Sequence, residues 1–373
     1  MTTTCFLEPL DVLFLRGNKL FGEPGGYGEA LLPPWPSVAA GAIRSRLLVD
    51  EGIDLGEFSR SEVEHLALGT PERPGLFRLA DFALARKTHD GIESLRPLPA
   101  DLVVTESHNG AYTVRQLLPG VPAGGLGGSF PLPQWPLLAA DCQAKPARGL
   151  WLGEAGWRRY LTGEIPAGDD LVPSKKLWSF DLRVGVGLDP ARRRAEDGKL
   201  FSVQAVAFCE GVGFLAATEG DGLKADTLLR FGGDGRAARC RPVDAYQPPE
   251  PDLAAVAESG RARIVLTTPG IFPAGWRLPG MAEDGRFELG DVKGRVVAAA
   301  VNRAEVISGW DLAKRRPKAA RRAAPTGSVY WLEDLEADEA SLRKLVKRGL
   351  WPENDYDKTR QVEGFNRFTF AAY

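Results

Sequence analysis

The stretch CFLEPLDVLFL, residues 5–15, opens the chain with aromatic and branched side chains, and the glycine-rich RGNKLFGEPGGYGE follows it. This order predicts a first strand that runs into a turn-rich loop. In LLPPWPSVAAGAIRSRLLVDEG, residues 31–52, the prolines delay a helix that has Ser37 as its N-cap and Gly52 as its stop. Gly41 lies inside that helix, where glycine is unfavourable by up to about 1 kcal/mol, so we expect a close backbone approach there.

The middle of the chain predicts further strands. Two β-rich arms flank a polar tip in LRVGVGLDPARRRAEDGKLFSVQAVAFCE, residues 182–210, which is the pattern of a long hairpin. We also expect strands in GLFRLADFALAR (75–86), DLVVTES (101–107) and GVGFLAAT (211–218), and a short helix in GLKADTLLRF (222–231) that ends at the GGDG turn.

The proline-rich YQPPEPD, residues 246–252, is the expected linker between two β-rich parts of the chain. Beyond it, ARIVLTTPG, GRVVAAAVNRAEVI and SVYWLE predict strands, DEASLRKLVKRG predicts a helix, and the chain ends in a glycine turn and a strand. Similar elements occur in both parts without a short repeat. The sequence therefore predicts an α+β protein with domains 1–245 and 246–373.

Composition excludes several classes of function. Lys and Arg total 47 against 49 Asp and Glu, so a polyanion site has to be a local patch. The four cysteines are far apart and without neighbouring histidines, which predicts buried free thiols and no zinc site. The three histidines, His65, His89 and His108, share no metal-ligand spacing, and no catalytic or nucleotide-binding motif occurs. We expect a cytoplasmic protein without membrane association, cofactor, metal ion or catalytic residues.

The basic run KRRPKAARR, residues 314–322, contrasts with this neutral average because it has six basic residues in nine positions. No acidic residue occurs between Asp311 and Glu333, and Gly309 and Gly327 bound the segment. A solvated loop is the alternative interpretation. Phosphate binding is favoured because Trp310 can stack on a base and because predicted strands flank the segment.

Two other loops have a similar composition. LRFGGDGRAARCR, residues 229–241, combines glycines with arginines, and the predicted hairpin has three arginines at its tip. Each pattern alone also suits an ordinary turn or a solvated loop. Three basic or glycine-rich loops on predicted strands together are typical of a sheet that binds RNA.

Several of these stretches together resemble one family. FLEPLDVLFLRGNKLFG, LLPPWPSVAAGAIRSRLL, GVGLDPARRRAEDGKLFSVQ, LRFGGDGR, TTPGIFPAGW and SGWDLAKRRPKAARRAAPTGSVYWLE are similar to the RAMP protein that is the third Cmr subunit of type III-B CRISPR effector complexes. The resemblance implies two ferredoxin-like (RRM-like) domains with long hairpin and loop insertions. It also implies binding of the 5′ handle of the CRISPR RNA, contacts with the large polymerase-type subunit and the backbone RAMP subunit, and an indirect contact with target RNA.

The resemblance places RNA-facing residues on the first helix, in the glycine loop and in the basic segment, with bases stacked on Trp310 or Phe365. The hairpin tip is implied to press on the guide or to contact the adjacent subunit. The implied RNA-binding residues are Ser37, Gly41, Arg44, Arg192, Arg193, Arg194, Gly232, Gly233, Arg236, Gly309, Trp310, Lys314, Arg315, Arg316, Lys318, Arg321, Arg322, Gly327 and Phe365.

Two other functions remain open from the residues alone. The protein would be an endoribonuclease if it cut the guide precursor, although no histidine stands in its glycine loop. It would be a protein-only scaffold if the basic segment docked on an acidic protein surface. We therefore expect a subunit that binds RNA and has no catalytic activity.

Overall fold

The computed structural model describes residues 2–17, 27–125, 131–140, 144–189, 191–244, 246–311, 316–354 and 356–373. In this part of the chain the protein is α+β, with mostly antiparallel sheets and few helices, as the sequence predicts. None of the described helices combines the length and the hydropathy that crossing a bilayer requires.

The helices and strands are numbered in chain order. The helices are α1 (Pro36–Asp50), α2 (Leu55–Ser59), α3 (Glu154–Leu161), α4 (Leu253–Ser259), α5 (Glu339–Arg348) and α6 (Lys358–Val362). The first strands are β1 (Thr2–Pro9), β2 (Tyr27–Gly28), β3 (Arg78–Thr88), β4 (Gly91–Pro97), β5 (Leu102–Glu106), β6 (Tyr112–Gln116), β7 (Leu118–Gly120), β8 (Trp135–Leu137), β9 (Leu150–Leu152), β10 (Leu171–Pro173), β11 (Trp178–Asp189) and β12 (Arg194–Phe208). The later strands are β13 (Val212–Glu219), β14 (Thr227–Arg230), β15 (Ala237–Pro242), β16 (Ala262–Leu266), β17 (Arg286–Leu289), β18 (Val292–Ala300), β19 (Glu305–Ile307), β20 (Trp310–Asp311), β21 (Arg316–Pro317), β22 (Arg321–Ala323), β23 (Val329–Glu336) and β24 (Phe368–Ala371).

The chain folds into two compact units, and one change of unit falls between Tyr246 and Gln247, in the expected linker. The units differ from the continuous domains 1–245 and 246–373 because each takes segments from both sides of that linker. The first unit comprises Met1–Ile92, Lys175–Tyr246 and Val306–Arg321, and the second comprises Glu93–Ser174, Gln247–Glu305 and Arg322–Tyr373.

The first unit is built on strands in the order β3-β13-β1-β15-β14, with every neighbouring pair antiparallel. β1 lies inside this sheet, and Phe6 and Leu7 on it are fully buried. Helix α1 follows β1 and packs through Ala39, Ala40 and Ile43, so its opposite face remains at the surface. The long hairpin is confirmed as β11 and β12, and the strand after it as β13.

Four expectations for the first unit are wrong in detail. The first strand ends at Pro9, because a proline cannot donate to a sheet, and Leu13 makes only an isolated bridge. Ser37 is not the N-cap, because α1 begins at Pro36, whose missing amide proton suits the first helical turn. The expected helix in residues 222–231 is instead β14, which pairs with β15. Cys209 is exposed, whereas Cys5 and Cys240 are buried free thiols as expected, and Cys142 lies outside the described residues.

The second unit contains a sheet with the order β17-β18-β23-β16-β24, again antiparallel throughout. Helix α5 connects β23 to the C-terminal part of the chain and has the expected acidic first turn and basic last turn. The core of the second unit includes Ile264, Tyr330, Leu342 and Phe370, all fully buried.

A buried charge network connects three distant segments of the second unit. Asp101 is completely buried, and its carboxylate accepts hydrogen bonds from Arg263 at 2.8 Å and from the Tyr160 hydroxyl at 2.8 Å. Arg263 also donates to the backbone oxygens of Tyr160 and Ala372, both at 2.9 Å. Burial raises the pKa of Tyr160 well above its usual value, which keeps the hydroxyl protonated as a donor. The network joins the segment 93–174 to β16 and to the C-terminal residues.

We expect Asp101→Asn to lower the free energy of unfolding by about 3–5 kcal/mol, because Arg263 would stay buried without a counterion. Urea unfolding followed by tryptophan fluorescence measures this change. Asp284→Asn is the matched control, since it breaks an exposed pair with Arg286 at 2.7 Å and should change stability far less. Equal effects of the two substitutions would contradict the role given to the buried network.

Candidate nucleic-acid interface

The basic segment is a β-hairpin rather than an irregular loop. Trp310 pairs with Pro317 and Asp311 with Arg316 across β20 and β21. The amide of Lys318 donates to the carbonyl oxygen of Gly309 at 2.9 Å, which closes the base of the hairpin. The Ser308 hydroxyl adds a hydrogen bond of 2.7 Å to the carbonyl oxygen of Lys318. Trp310 is 56% exposed, so it is available to stack on a base.

The described arginines of this basic hairpin (residues 309–318) and of the segment after it are at the surface. Arg316, Arg321 and Arg322 are exposed and form no ion pair with any residue that the structure describes. Lys318 is half-buried. Lys314 and Arg315 lie outside the described residues. Exposed guanidinium groups without carboxylate partners are available for phosphates, which they bind with bidentate geometry.

The glycines that bound the segment differ in their surroundings. Gly309 is exposed with a φ of 117°, and the nearest atom to an added Cβ would be Cδ of Lys318 at 3.9 Å. Gly327 is buried, and its Cβ would lie 3.1 Å from the carbonyl oxygen of Leu98. The close backbone approach at Gly327 is thus to the protein itself, and its contact with RNA stays a prediction.

Helix α1 presents three of the implied residues on one face. Ser37, Gly41 and Arg44 follow one another at the four- and three-residue spacing of a helix surface. Gly41 is exposed, and a Cβ built on it would meet nothing within 4 Å. No described residue approaches Gly41 closely, so the close backbone approach expected there is not found within the described part of the chain.

The glycine loop packs against the segment that follows β1. The amide of Gly233 donates to the carbonyl oxygen of Phe14 at 2.8 Å, and a Cβ on Gly232 would lie 3.0 Å from the same oxygen. Arg236 forms an ion pair with Asp11, and its guanidinium lies 5.2 Å from the Phe14 ring centroid. These contacts give the glycines and the arginine roles inside the protein, and their contact with RNA stays a prediction.

The tip of the β11–β12 hairpin exposes Arg192, Arg193 and Arg194. Arg193 has a φ of 51°, and its amide donates to the carbonyl oxygen of Asp189 at 2.8 Å, which closes the turn. Asp189 also lies 3.7 Å from Nε of Arg192, so one of the three charges has a weak partner.

The sequence did not predict that one apolar face of this long hairpin is exposed to solvent. Alternate residues of β11 are apolar, and from Phe180 onward they are at least 40% exposed, although Trp178 at the start of the strand is buried. The opposite face packs, because Val203 and Ala205 of β12 are buried against Phe14. Alternation alone predicts the apolar face of a strand as its buried face, and here the burial is reversed. We call the exposed residues the apolar hairpin face: Phe180, Leu182, Val184, Val186 and Leu188.

Phe365 does not join a binding surface. It is fully buried, and the Arg360 guanidinium lies 5.2 Å from its ring centroid. Of the two residues expected to stack on a base, Trp310 is exposed and Phe365 is buried in the fold, so the exposure favours Trp310.

One cluster of possible metal ligands occurs among the described residues, formed by Glu51, His65 and Asp221. Nδ1 of the buried His65 accepts backbone N–H groups from Ala67 at 3.0 Å and Leu68 at 3.1 Å. Nε2 then carries the ring proton and lies 3.3 Å from Oε1 of Glu51. Metal binding needs the lone pair that this proton occupies, so the cluster suits a donor–carboxylate contact instead.

Comparison with known proteins identifies the family. The family model for CRISPR-associated protein (Cas_Cmr3) matches residues 5–369. The chain is therefore a CRISPR-associated protein. It belongs to the Cmr3 family, which confirms the resemblance to the third Cmr subunit. The comparison with curated proteins gave no match.

Two solved structures are similar to the chain at low identity. The cryo-EM structure of the Type III-B Cmr-beta bound to cognate target RNA and AMPPnP, state 1, contains a chain with 15% identity and a TM-score of 0.49, covering 98% of this chain and 95% of that one. The structure of the Type III-B Cmr-beta bound to cognate target RNA contains one with 15% identity and a TM-score of 0.47, covering 98% and 96%.

We expect Gly41→Ala to raise the free energy of unfolding by up to about 1 kcal/mol, because alanine favours the helix and its Cβ would meet no described atom within 4 Å. Gly235→Ala is the contrasting variant: its surroundings are equally open, but its φ of 67° strains any other residue. Chemical unfolding compares the two. A loss of stability in Gly41→Ala would mean that the isolated protein itself needs this glycine.

Proposed function

We propose that this Cmr3-family protein is a non-catalytic subunit of a type III-B Cmr effector complex that binds the 5′ handle of the CRISPR RNA. In the same proposal it joins the large polymerase-type subunit to the backbone RAMP subunit, and so contributes indirectly to target RNA binding. The observation that carries the proposal is the basic hairpin with Arg321 and Arg322 after it, because its described arginines are exposed and unpaired and Trp310 is available for stacking.

A ferredoxin-like framework in each unit is part of the proposal. Such a domain has the order β-α-β-β-α-β and an antiparallel sheet whose central strands are the first and the third. In the first unit β1, β3, β13 and β15 follow this order, and β14 stands where the second helix would be. In the second unit β16, β18, β23 and β24 follow it, with α5 as the second helix. This strand order supports the assignment of both units.

The protein contacts proposed for this subunit have a suitable surface on the long hairpin. The apolar hairpin face offers branched and aromatic side chains, which pack well on another protein and add nothing to phosphate binding. The arginines at the tip, Arg193 and Arg194, offer charge beside it. We therefore assign the apolar hairpin face to a neighbouring subunit and the basic hairpin to RNA.

Removing charges from the basic segment should weaken handle binding and lower its salt dependence. Each phosphate contact with single-stranded RNA contributes about −0.7 to the slope of log K against log salt. Arg316→Ala/Arg321→Ala should therefore reduce the magnitude of the slope by about 1.4. Fluorescence anisotropy with a labelled handle RNA at several salt concentrations measures the slope.

The matched control is Arg158→Ala/Arg343→Ala, which removes the same charge from two helices. Each of these arginines already has a glutamate partner, at 2.7 Å and 2.6 Å respectively. For this control variant, the slope of log K against log salt should equal that of the wild type. If the basic-segment variant also keeps the wild-type slope, its arginines do not meet phosphates.

We expect the purified protein to leave precursor CRISPR RNA uncut, because none of its histidines stands in the glycine loop. His65 is buried, and His89 and His108 are exposed in the β3–β4 and β5–β6 turns. Incubation with repeat-containing RNA in a chelator, followed by denaturing electrophoresis, tests this. A defined product that disappears in His108→Ala would establish an endoribonuclease instead.

A further inference from the structure

The outer edge of strand β11 is open in the described part of the chain. β11 has 12 residues, and among the described residues it pairs only with β12, in a register that is regular up to Val186. An open edge presents backbone N–H and C=O groups that can pair with a strand of another chain. Proline and lysine, which commonly block such pairing, are absent from residues 178–189. The edge is therefore free to accept a strand.

The free backbone groups on this edge belong to the apolar hairpin face. The amide of Cys209 donates to the carbonyl oxygen of Leu177 at 2.9 Å, one residue pair ahead of the regular register of β11 with β12. In an antiparallel ladder, such hydrogen-bonded pairs alternate with pairs whose backbone groups point away from each other. Counted along β11 from Leu177, the residues that direct their N–H and C=O groups to the open edge include Phe180, Leu182 and Val184.

The same three residues have exposed side chains. Phe180, Leu182 and Val184 are 52%, 60% and 65% exposed. A strand added at this edge would exchange about two hydrogen bonds with each of them. Its own side chains would lie about 4.5–5.5 Å from theirs, where apolar pairs stabilise a sheet. The backbone and the side chains of β11 therefore favour the same kind of partner, which is an extended strand with an apolar face.

β11 is complementary to itself in one antiparallel register. With a two-fold axis at Leu182, Asp181 of each copy faces Arg183 of the other copy. Phe180 then faces Val184, and Leu182 faces its own equivalent. An axis at Asp181 or at Arg183 would place like charges directly opposite each other, which destabilises a sheet. An axis at Val184 gives no pair of opposite charges, so the register with its axis at Leu182 is favoured.

The two charges of this register are accessible to a second copy. Nε of Arg183 lies 2.9 Å from a carboxylate oxygen of Asp181 in the same strand, and the two side chains are 40% and 44% exposed. A guanidinium has five N–H donors, and a carboxylate accepts at both oxygens. Each group can therefore keep its partner in the strand and pair across the axis as well.

We propose that, outside the effector complex, two copies of this chain pair through β11 about a two-fold axis at Leu182. The sheet β11-β12-β2 of each copy then becomes half of one continuous sheet. The assembly closes as a dimer, because β11 has one open edge and the second copy occupies it. This inference goes beyond the proposed function, since it concerns the free protein and requires no RNA. The dimer has to separate before another subunit can reach this edge.

A strand of a different protein is the other possible occupant, and the charges favour a second copy. A different strand would need a basic residue opposite Asp181, an acidic residue opposite Arg183 and apolar residues between and beside them. β11 itself has this order of residues when it runs antiparallel.

Engineered cysteines test both the pairing and its register. In a Cys142→Ser/Cys209→Ser background, Leu182→Cys places two thiols at the axis, where the Cα atoms of a hydrogen-bonded pair are about 5.5 Å apart and suit a disulfide. Mild oxidation with copper phenanthroline in air should therefore give a covalent dimer on a non-reducing gel. The matched control is Val184→Cys, which should stay monomeric because the two copies of residue 184 would lie about 13 Å apart along the strands. Adding Phe180→Cys to this control should restore the crosslink.

Charge reversal tests the same register without cysteines. Sedimentation velocity of the wild type should show a monomer that becomes a dimer as the protein concentration rises. Arg183→Asp places a carboxylate opposite Asp181 of the second copy at both charge pairs, so it should weaken association by about tenfold. Asp181→Arg/Arg183→Asp restores opposite charges across the axis and should associate as the wild type does.

Three results would overturn the proposal. If the wild type stays monomeric at every concentration and Leu182→Cys gives no covalent dimer, two copies do not pair through β11. Equal crosslinking of Leu182→Cys and Val184→Cys would show random collision or a different register. If the wild type is monomeric and Leu182→Lys fails to assemble with the other subunits, the edge belongs to a different protein. None of these results depends on the handle RNA, so they are separate from a failure of the proposed function.

Discussion

The pairing of Asp101 with Arg263 is the constraint on which the second unit depends. A carboxylate and a guanidinium that are both almost completely excluded from water persist only if each is fully hydrogen-bonded. Tyr160, Gln116 and the backbone of Ala372 complete that set. Because these partners come from distant parts of the sequence, the network fixes residues 93–174 onto the same unit as β16 and the C-terminal residues.

The arginines of the protein divide into two groups with different physical roles. Arg263 is enclosed, and Arg236 and Arg239 pair with Asp11 and Asp226, so their charges are compensated within the fold. Arg316, Arg321 and Arg322 are exposed and have no ion-pair partner among the described residues, although the net charge of the whole chain is only −2. Three exposed arginines close together in the chain of a near-neutral protein form a local basic patch, which supports the proposed phosphate contacts.

The sequence predicted what depends on local pattern. The long hairpin, β13 and α5 follow from alternation, turn residues and terminal charges close in the chain. The sequence-based prediction of a helix in residues 222–231 is wrong, because part of this segment pairs with β15 as strand β14. That pairing places a guanidinium nitrogen of Arg239 2.6 Å from a carboxylate oxygen of Asp226, a long-range contact that helical propensity does not include. The same limit applies to Gly327 and Phe365, whose burial depends on distant residues.

The candidate site was predicted in part for the same reason. Composition identified the basic segment and Trp310, whose exposure needs no long-range information. The apolar hairpin face was missed because alternation does not say which side of a strand meets solvent.

The central claim is that the basic hairpin meets RNA and not a protein surface. A photoreactive benzoylphenylalanine in place of Trp310, irradiated in the assembled complex with labelled CRISPR RNA, tests this most directly. The account predicts a crosslink to the RNA within its 5′ handle. A crosslink that joins position 310 only to another protein subunit and leaves the RNA unmarked would contradict it.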